Sequence, residues 1–251
     1  MIKAIFTAVA IAGILAACSE QVSEAANQAA RIVIDDTPIL ALEVGGIVNL
    51  SRQPGADFST PDSAAWRAAQ EYSLDLNLAP PVHQSINLRY DPKTPPVSLN
   101  LRAGHDGEAL HLRMRWSDST HDVITSRQEF SDGAAVQFAL EGGPATSYMM
   151  GAPTTPVNIW YWKAGLDQPQ NLAAGGFGST TRLEQGQLAI SSTYRDSGEW
   201  VVVFSRPVSE SGEHQADFSG DTITLALALW QGDAKQRDGL KHVSPGWVTL
   251  Q

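Results

Sequence analysis

From Tyr72 to the C-terminus the chain is patterned with a period of two, which points to β-strands with a buried and an outer face. Leu74, Leu76 and Leu78 alternate with polar residues. Val97, Leu99 and Leu101 alternate with Ser98, Asn100 and Arg102, and Leu110, Leu112, Met114 and Trp116 with His111, Arg113 and Arg115. Between these last two runs lies His105-Asp106-Gly107, a hairpin turn signal; Ser131-Asp132-Gly133 opens the next strand, 134–140. Further strands are expected at 157–162, 188–192, 200–205, 222–230 and 248–250. Against roughly ten strands there is one good helix candidate, 62–71, with Asp62 or Ser63 as N-cap and Trp66 facing inward. Residues 167–178, with Gly175-Gly176-Phe177-Gly178, read as the longest irregular loop. The fold class is all-β: a two-sheet antiparallel β-sandwich with a short helix and long loops, with a barrel or jelly roll as the alternative closure.

The first eighteen residues read as a lipoprotein signal peptide. Lys3 supplies a positive start, 5–15 an apolar stretch too short for a comfortable span, and Leu15-Ala16-Ala17-Cys18 a lipobox. Cys18 would then begin the mature chain and carry the acyl chains that anchor it to a membrane; the competing reading is a plain secretory signal. Ser19, where Asp would retain a lipoprotein in the inner membrane, slightly favours the outer one, facing the periplasm. Residues 19–30, polar and alanine-rich, read as a flexible tether, and 31–251 as one domain.

Composition removes whole classes of function. Cys18 is the one cysteine, so the chain has no internal disulfide, thiolate metal cluster, Cys nucleophile or covalent haem attachment. A formal net charge of −10 argues against nucleic acid as a partner. The serines lack a Gly-x-Ser-x-Gly context, and His83, His105, His111, His121, His214 and His242 are not paired at metal-ligand spacing.

The stretch 148–163 stands out. Met149-Met150-Gly151 precedes Pro156 and the aromatic run Trp160-Tyr161-Trp162. Soft thioethers beside a turn and flat apolar side chains suit the edge of a haem, and equally an ordinary turn into a buried strand. Strand parity puts Trp160 and Trp162 on one face and Tyr161 on the other, with a buried core as the plain reading for the tryptophans. Seven tryptophans on an acidic sandwich also suit a carbohydrate- or small-ligand-binding lipoprotein without haem.

Four local matches carry a family resemblance that bears on the haem reading. Leu112-Arg113-Met114-Arg115-Trp116-Ser117-Asp118 and Phe130-Ser131-Asp132-Gly133-Ala134-Ala135-Val136-Gln137-Phe138 are the first two. The third is Met149-Met150-Gly151 through Pro156-Val157-Asn158-Ile159-Trp160-Tyr161-Trp162-Lys163. The fourth joins 200–207 and 226–232 to Arg237-Asp238-Gly239-Leu240-Lys241-His242-Val243-Ser244-Pro245-Gly246-Trp247. In this order they resemble the haem b-binding gamma-subunit family of ethylbenzene dehydrogenase, dimethyl sulfide dehydrogenase, selenate reductase and chlorate reductase.

The resemblance implies a β-sandwich holding a non-covalent haem b through Met150 and Lys241, with Trp160 and Trp162 at the cofactor. Met149 and Met114 are the rivals for Met150, and His242 for Lys241, although strand parity turns His242 to the opposite face. A neutral thioether favours ferrous iron, and a lysine ligates only once its proton is displaced. Two protein ligands close the iron, which suits electron transfer and not turnover of a substrate. The implied partners are molybdenum and iron–sulfur subunits, with a basic cytochrome c as a fitting redox partner for the acidic surface. Gln231 stands where the family usually has Asp, and a lipid anchor departs from its usual soluble gamma subunit.

Overall fold

The computed structural model describes residues 37–141 and 143–251. The signal segment, Cys18, the tether and residues 31–36 at the start of the domain lie outside the described residues. The remainder is all-β, as the period-two pattern requires. One sheet runs Tyr72–Leu78, Val97–His105, Ala109–Ser117, Glu199–Pro207 and Ala189–Arg195, each antiparallel to the next. The second runs Thr181–Arg182, Gln170–Ala174, Val157–Lys163, Gly133–Ala139 and Ile223–Trp230, again antiparallel. Along the free side of Ile223–Trp230 lie His242–Val243 and Val248–Leu250. His242–Val243 also pairs with Asn77 and Leu78, so hydrogen bonding continues around one edge from one sheet to the other.

The two sheets face each other across the main core. Leu74, Leu76, Leu99, Leu101, Leu112, Met114 and Trp116 meet Val136, Phe138, Trp160, Trp162, Leu225, Leu227 and Leu229, all buried. At one end Asp132, fully buried, accepts from Trp200 Nε1 at 2.9 Å and from the Gly232 amide at 2.8 Å, tying the sheets together. The outer face of the first sheet is closed by the 51–71 segment. There Glu71 lies 3.0 Å from both Arg102 and Arg115. Burial pushes the Glu71 carboxyl up, but hydrogen bonds from Arg115 and Arg102 outweigh it and hold its pKa below the usual carboxylate value.

Two elements differ from expectation. The helix expected at 62–71 is a single 3-10 turn, Ala64–Ala68, capped by Ser63. It stops because Glu71 is drawn inward to the arginines and the chain is already extended at Ala69. The irregular loop expected at 167–178 contains the strand Gln170–Ala174, paired with Val157–Tyr161. Gln170 and Asn171 disguise it, since neither has strong β-propensity. Asn171 is buried by design: its Oδ1 accepts from Asn158 at 2.7 Å. A short helix at Gln84–Asn87, with His83 as its cap, was not anticipated.

Candidate functional site

The second sheet is apolar on both faces. In Leu225-Ala226-Leu227-Ala228-Leu229 the leucines enter the main core, while Ala226 and Ala228 point outward beside Ala135, Ile159, Val157 and Trp230. A sheet face carrying small apolar residues, with large ones on its reverse, is a flat floor that needs a cover. Over it lies a cavity of about 670 Å³, within the range of small-molecule and cofactor sites. Ala135, Gln137, Ile159, Tyr161, Leu172, Ala226, Ala228 and Val243 form its floor. Tyr148–Met150, Phe177–Thr180, Val82–Ile86 and Asp238–Gly239 contribute to its rim.

Two donors face each other there. Lys241 follows the parity of Val243 and projects outward, its Nζ 3.8 Å from Met150 Sδ and 4.9 Å from the centre of the Trp230 ring. Among the described residues no carboxylate pairs with it. Burial alone pushes its amine down from 10.5 to about 8. An amine so placed has already lost much of its hold on the proton that ligation requires it to shed. Partial solvent access remains, for Lys241 is half-buried.

Met150 comes from the turn before the Val157–Lys163 strand and has a left-handed backbone, φ 67°. Gly151 is left-handed as well, at φ 71°, and a Cβ there would lie 2.8 Å from the Thr155 carbonyl. The Gly151 amide closes the turn onto the Ser147 carbonyl at 2.9 Å, and the Gly176 amide donates to the Met150 carbonyl at 2.8 Å. These bonds hold a conformation that a methionine adopts only at some energetic cost.

The structure therefore brings Met150 and Lys241 together and separates their rivals. Met149 lines the same cavity, but Met150 supplies the sulfur facing the amine. Met114 is fully buried between the sheets. His242 points away, its Nδ1 within 3.2 Å of Gln236 and its Nε2 within 3.2 Å of the Pro95 carbonyl. Trp160 and Trp162, expected at the cofactor, are corrected: both are buried in the main core, Trp160 against Phe138 and Trp162 against Trp200. Parity separates Tyr161 from its neighbours as expected, but the cavity belongs to Tyr161's face. Tyr161 packs edge-on to Trp230, and burial pushes its phenol up to about 12. Sequence reasoning missed Tyr161 and Trp230 as cavity residues. The signal was available in the Leu/Ala alternation of 225–229, which marks the outward face of this sheet as covered.

Fold and site together define a β-sandwich that offers a flat apolar cavity, with a thioether and a perturbed amine, on the outer face of one sheet. A family model described as ethylbenzene dehydrogenase matches residues 63–189, and the chain belongs to that family. It is 44% identical over 194 residues to the dimethylsulfide dehydrogenase subunit gamma of Rhodovulum sulfidophilum, covering 75% of this chain and 73% of that one. The chlorate reductase subunit gamma of Ideonella dechloratans is 34% identical over 207 residues, 82% and 84% of the two chains. A Haloferax mediterranei protein named as a respiratory nitrate reductase haem subunit is 33% identical over 186 residues, 73% and 65% of the two chains. Among solved structures, a Bacteroides uniformis protein named as carbohydrate-binding superposes with a TM-score of 0.52 at 11% identity, over 82% of this chain and 100% of that one. That likeness concerns the sandwich fold alone.

Proposed function

We propose that this chain is the haem-carrying, gamma-type subunit or partner of a molybdenum oxidoreductase, and that it relays single electrons through a b-type haem held by Met150 and Lys241. The observation that carries the reading is the 3.8 Å approach of Lys241 Nζ to Met150 Sδ over a flat apolar floor. The residues fit the group. Ala135, Ala226 and Ala228 leave room for a planar ligand, Tyr161 and Trp230 offer aromatic edges, and the donors are one neutral thioether and one amine whose proton is loosened. When bound, haem supplies a one-electron iron couple; a thioether ligand biases it toward the ferrous state. The chain's own work is to exclude water with the apolar floor, to orient Met150 from its turn, and to present Lys241 beside a sheet strand.

The relatives named as gamma and haem subunits support the partnership with molybdenum and iron–sulfur subunits, and the acidic surface suits a basic cytochrome c as onward redox partner. We extend the proposal to location. The Leu15–Cys18 pattern supports a mature chain lipidated at Cys18 and tethered by residues 19–30 on the periplasmic side, with the outer membrane favoured by Ser19. A Cys18→Ala chain that stays with the membrane fraction would count against it.

The competing sugar-binding reading loses its main support. All seven tryptophans are buried, none above 9% exposure, so no tryptophan platform is open for stacking on a sugar ring. The deciding measurement is the absorption spectrum of the exported protein. A reduced low-spin b-type band is expected, lost in Met150→Ala and in Lys241→Ala. A colourless, folded protein that cannot be reconstituted with haem would overturn the assignment.

A further inference from the structure

Met150 lies on a segment, Thr146–Gly151, that belongs to no strand. A thioether binds through a weak, neutral bond, so its hold on a metal depends on how firmly its backbone is placed. Two side chains reach this segment from the body of the domain. Gln137, 8% exposed on an otherwise apolar strand face, donates its Nε2 to the Tyr148 carbonyl at 2.9 Å. Trp247, 7% exposed, donates its Nε1 to the Thr146 carbonyl at 2.7 Å. Burying a primary amide beside alanines is unfavourable unless its hydrogen bonds are spent on something specific. Here the bond goes two residues upstream of Met150, and the Trp247 bond four residues upstream. With Gly176 holding the Met150 carbonyl at 2.8 Å, the segment is fixed at three successive points. We propose that Gln137 and Trp247 are positioning residues for the Met150 ligand, acting through its backbone. The inference rests on the haem-ligation reading above. Trp247 is the more telling of the two, because it does not line the cavity.

The test uses the full chain with haem bound and, separately, haem-free. Trp247→Phe keeps the ring and deletes one N–H donor; Gln137→Leu deletes the other. Trp66→Phe is the matched control, since it deletes an indole bond of 2.9 Å to the Thr60 carbonyl in the 51–71 segment, which covers the first sheet and not the cavity. Each lost bond is expected to raise the fraction of methionine-detached haem about 5-fold, as follows from a hydrogen bond worth ~1 kcal/mol. The readouts are the ferric methionine charge-transfer band and the midpoint potential, which should fall in both variants and hold steady in the control. In haem-free protein, hydrogen exchange at the 147–151 amides should speed up in both variants and not in the control. A wild type that takes no haem overturns the ligation reading and this inference with it. A methionine-ligated wild type whose band, potential and exchange ignore both substitutions overturns this inference alone, as does a control that shifts them equally.

Discussion

Replacing Lys241 with leucine should stabilise the haem-free protein while abolishing its haem site. The magnitude follows from the position of the amine. Lys241 stands on an apolar floor with its charge over Trp230, beside a thioether, and without a carboxylate partner among the described residues. Burial lowers its pKa from 10.5 to about 8, and at ~1.36 kcal/mol per pH unit that displacement corresponds to ~3 kcal/mol carried against folding at neutral pH. Partial solvent access reduces the recoverable part, and Lys241→Leu also gives up the attraction to Trp230, so a gain of about 1–3 kcal/mol is expected. The assay is urea unfolding of haem-free wild type and variant at pH 7, where the gain appears as a higher midpoint with an unchanged slope. The pH dependence has a definite sign. Between about 8 and 10.5 the unfolded amine holds a proton that the folded one has shed, so wild-type stability rises with pH across that window and stays at its lower level below about 8, where both states hold the proton. The leucine variant lacks that rise. Haem reverses the ranking, because only the wild type gains the stabilisation of a ligand that binds the folded state. A variant no more stable than wild type without haem, or a wild type whose stability is flat from pH 8 to 10.5, would refute the reasoning.

Two further outcomes follow from the same geometry. Ala228→Leu places a larger side chain on the cavity floor, so haem occupancy should collapse while the haem-free unfolding free energy holds or rises by up to ~2 kcal/mol; full occupancy in a haem titration would contradict the placement of the floor. Glu71→Gln removes the anion shared by Arg102 and Arg115 and should cost about 3–5 kcal/mol at pH 7 in thermal or urea unfolding. Its folded pKa is depressed, so the carboxylate's contribution is full above its ordinary value near 4.5 and is lost as pH falls through the lower folded value; the gap between wild type and variant should close in acid, and a gap independent of pH would show that Glu71's charge is not what matters.

How much of this could be read from the sequence depends on which kind of information each residue carries. The strands Tyr72–Leu78, Val97–His105 and Ala109–Ser117 were legible because one face of each is polar or charged: His111, Arg113 and Arg115 against Leu110, Leu112 and Met114 leave no ambiguity of period. Gln170–Ala174 was not legible, because its place is set by Asn158 and Asn171 meeting across strands, a tertiary bond with no local trace. The 62–71 helix was overcalled for the same reason, since Glu71 answers to arginines about thirty and forty-four residues away. Met150 and Lys241 became visible through family resemblance, not through spacing; they are 91 residues apart, and no periodicity connects them.

The face of the aromatic run is the instructive case. Parity separates Trp160 and Trp162 from Tyr161 without saying which side holds a ligand, and aromatic bulk suggests the tryptophans. The strand Ile223–Trp230, one strand further across the sheet, decides otherwise. Its Leu225, Leu227 and Leu229 pair in register with Phe138, Val136 and Ala134, and Val136 and Ala134 in turn pair with Trp160 and Trp162. All of these side chains therefore share the inner face. Ala226 and Ala228 share the other with Gln137, Ala135, Ile159 and Tyr161. A strand that alternates leucine with alanine has no solvent face, so its small-residue side must be buried by something other than the main core. Where loops gather only around the rim of such a face, the space above the alanines is available to a flat ligand. The donors of a ligand site then come from residues of the alanine parity, which selects Lys241 over His242 and Tyr161 over the two tryptophans beside it.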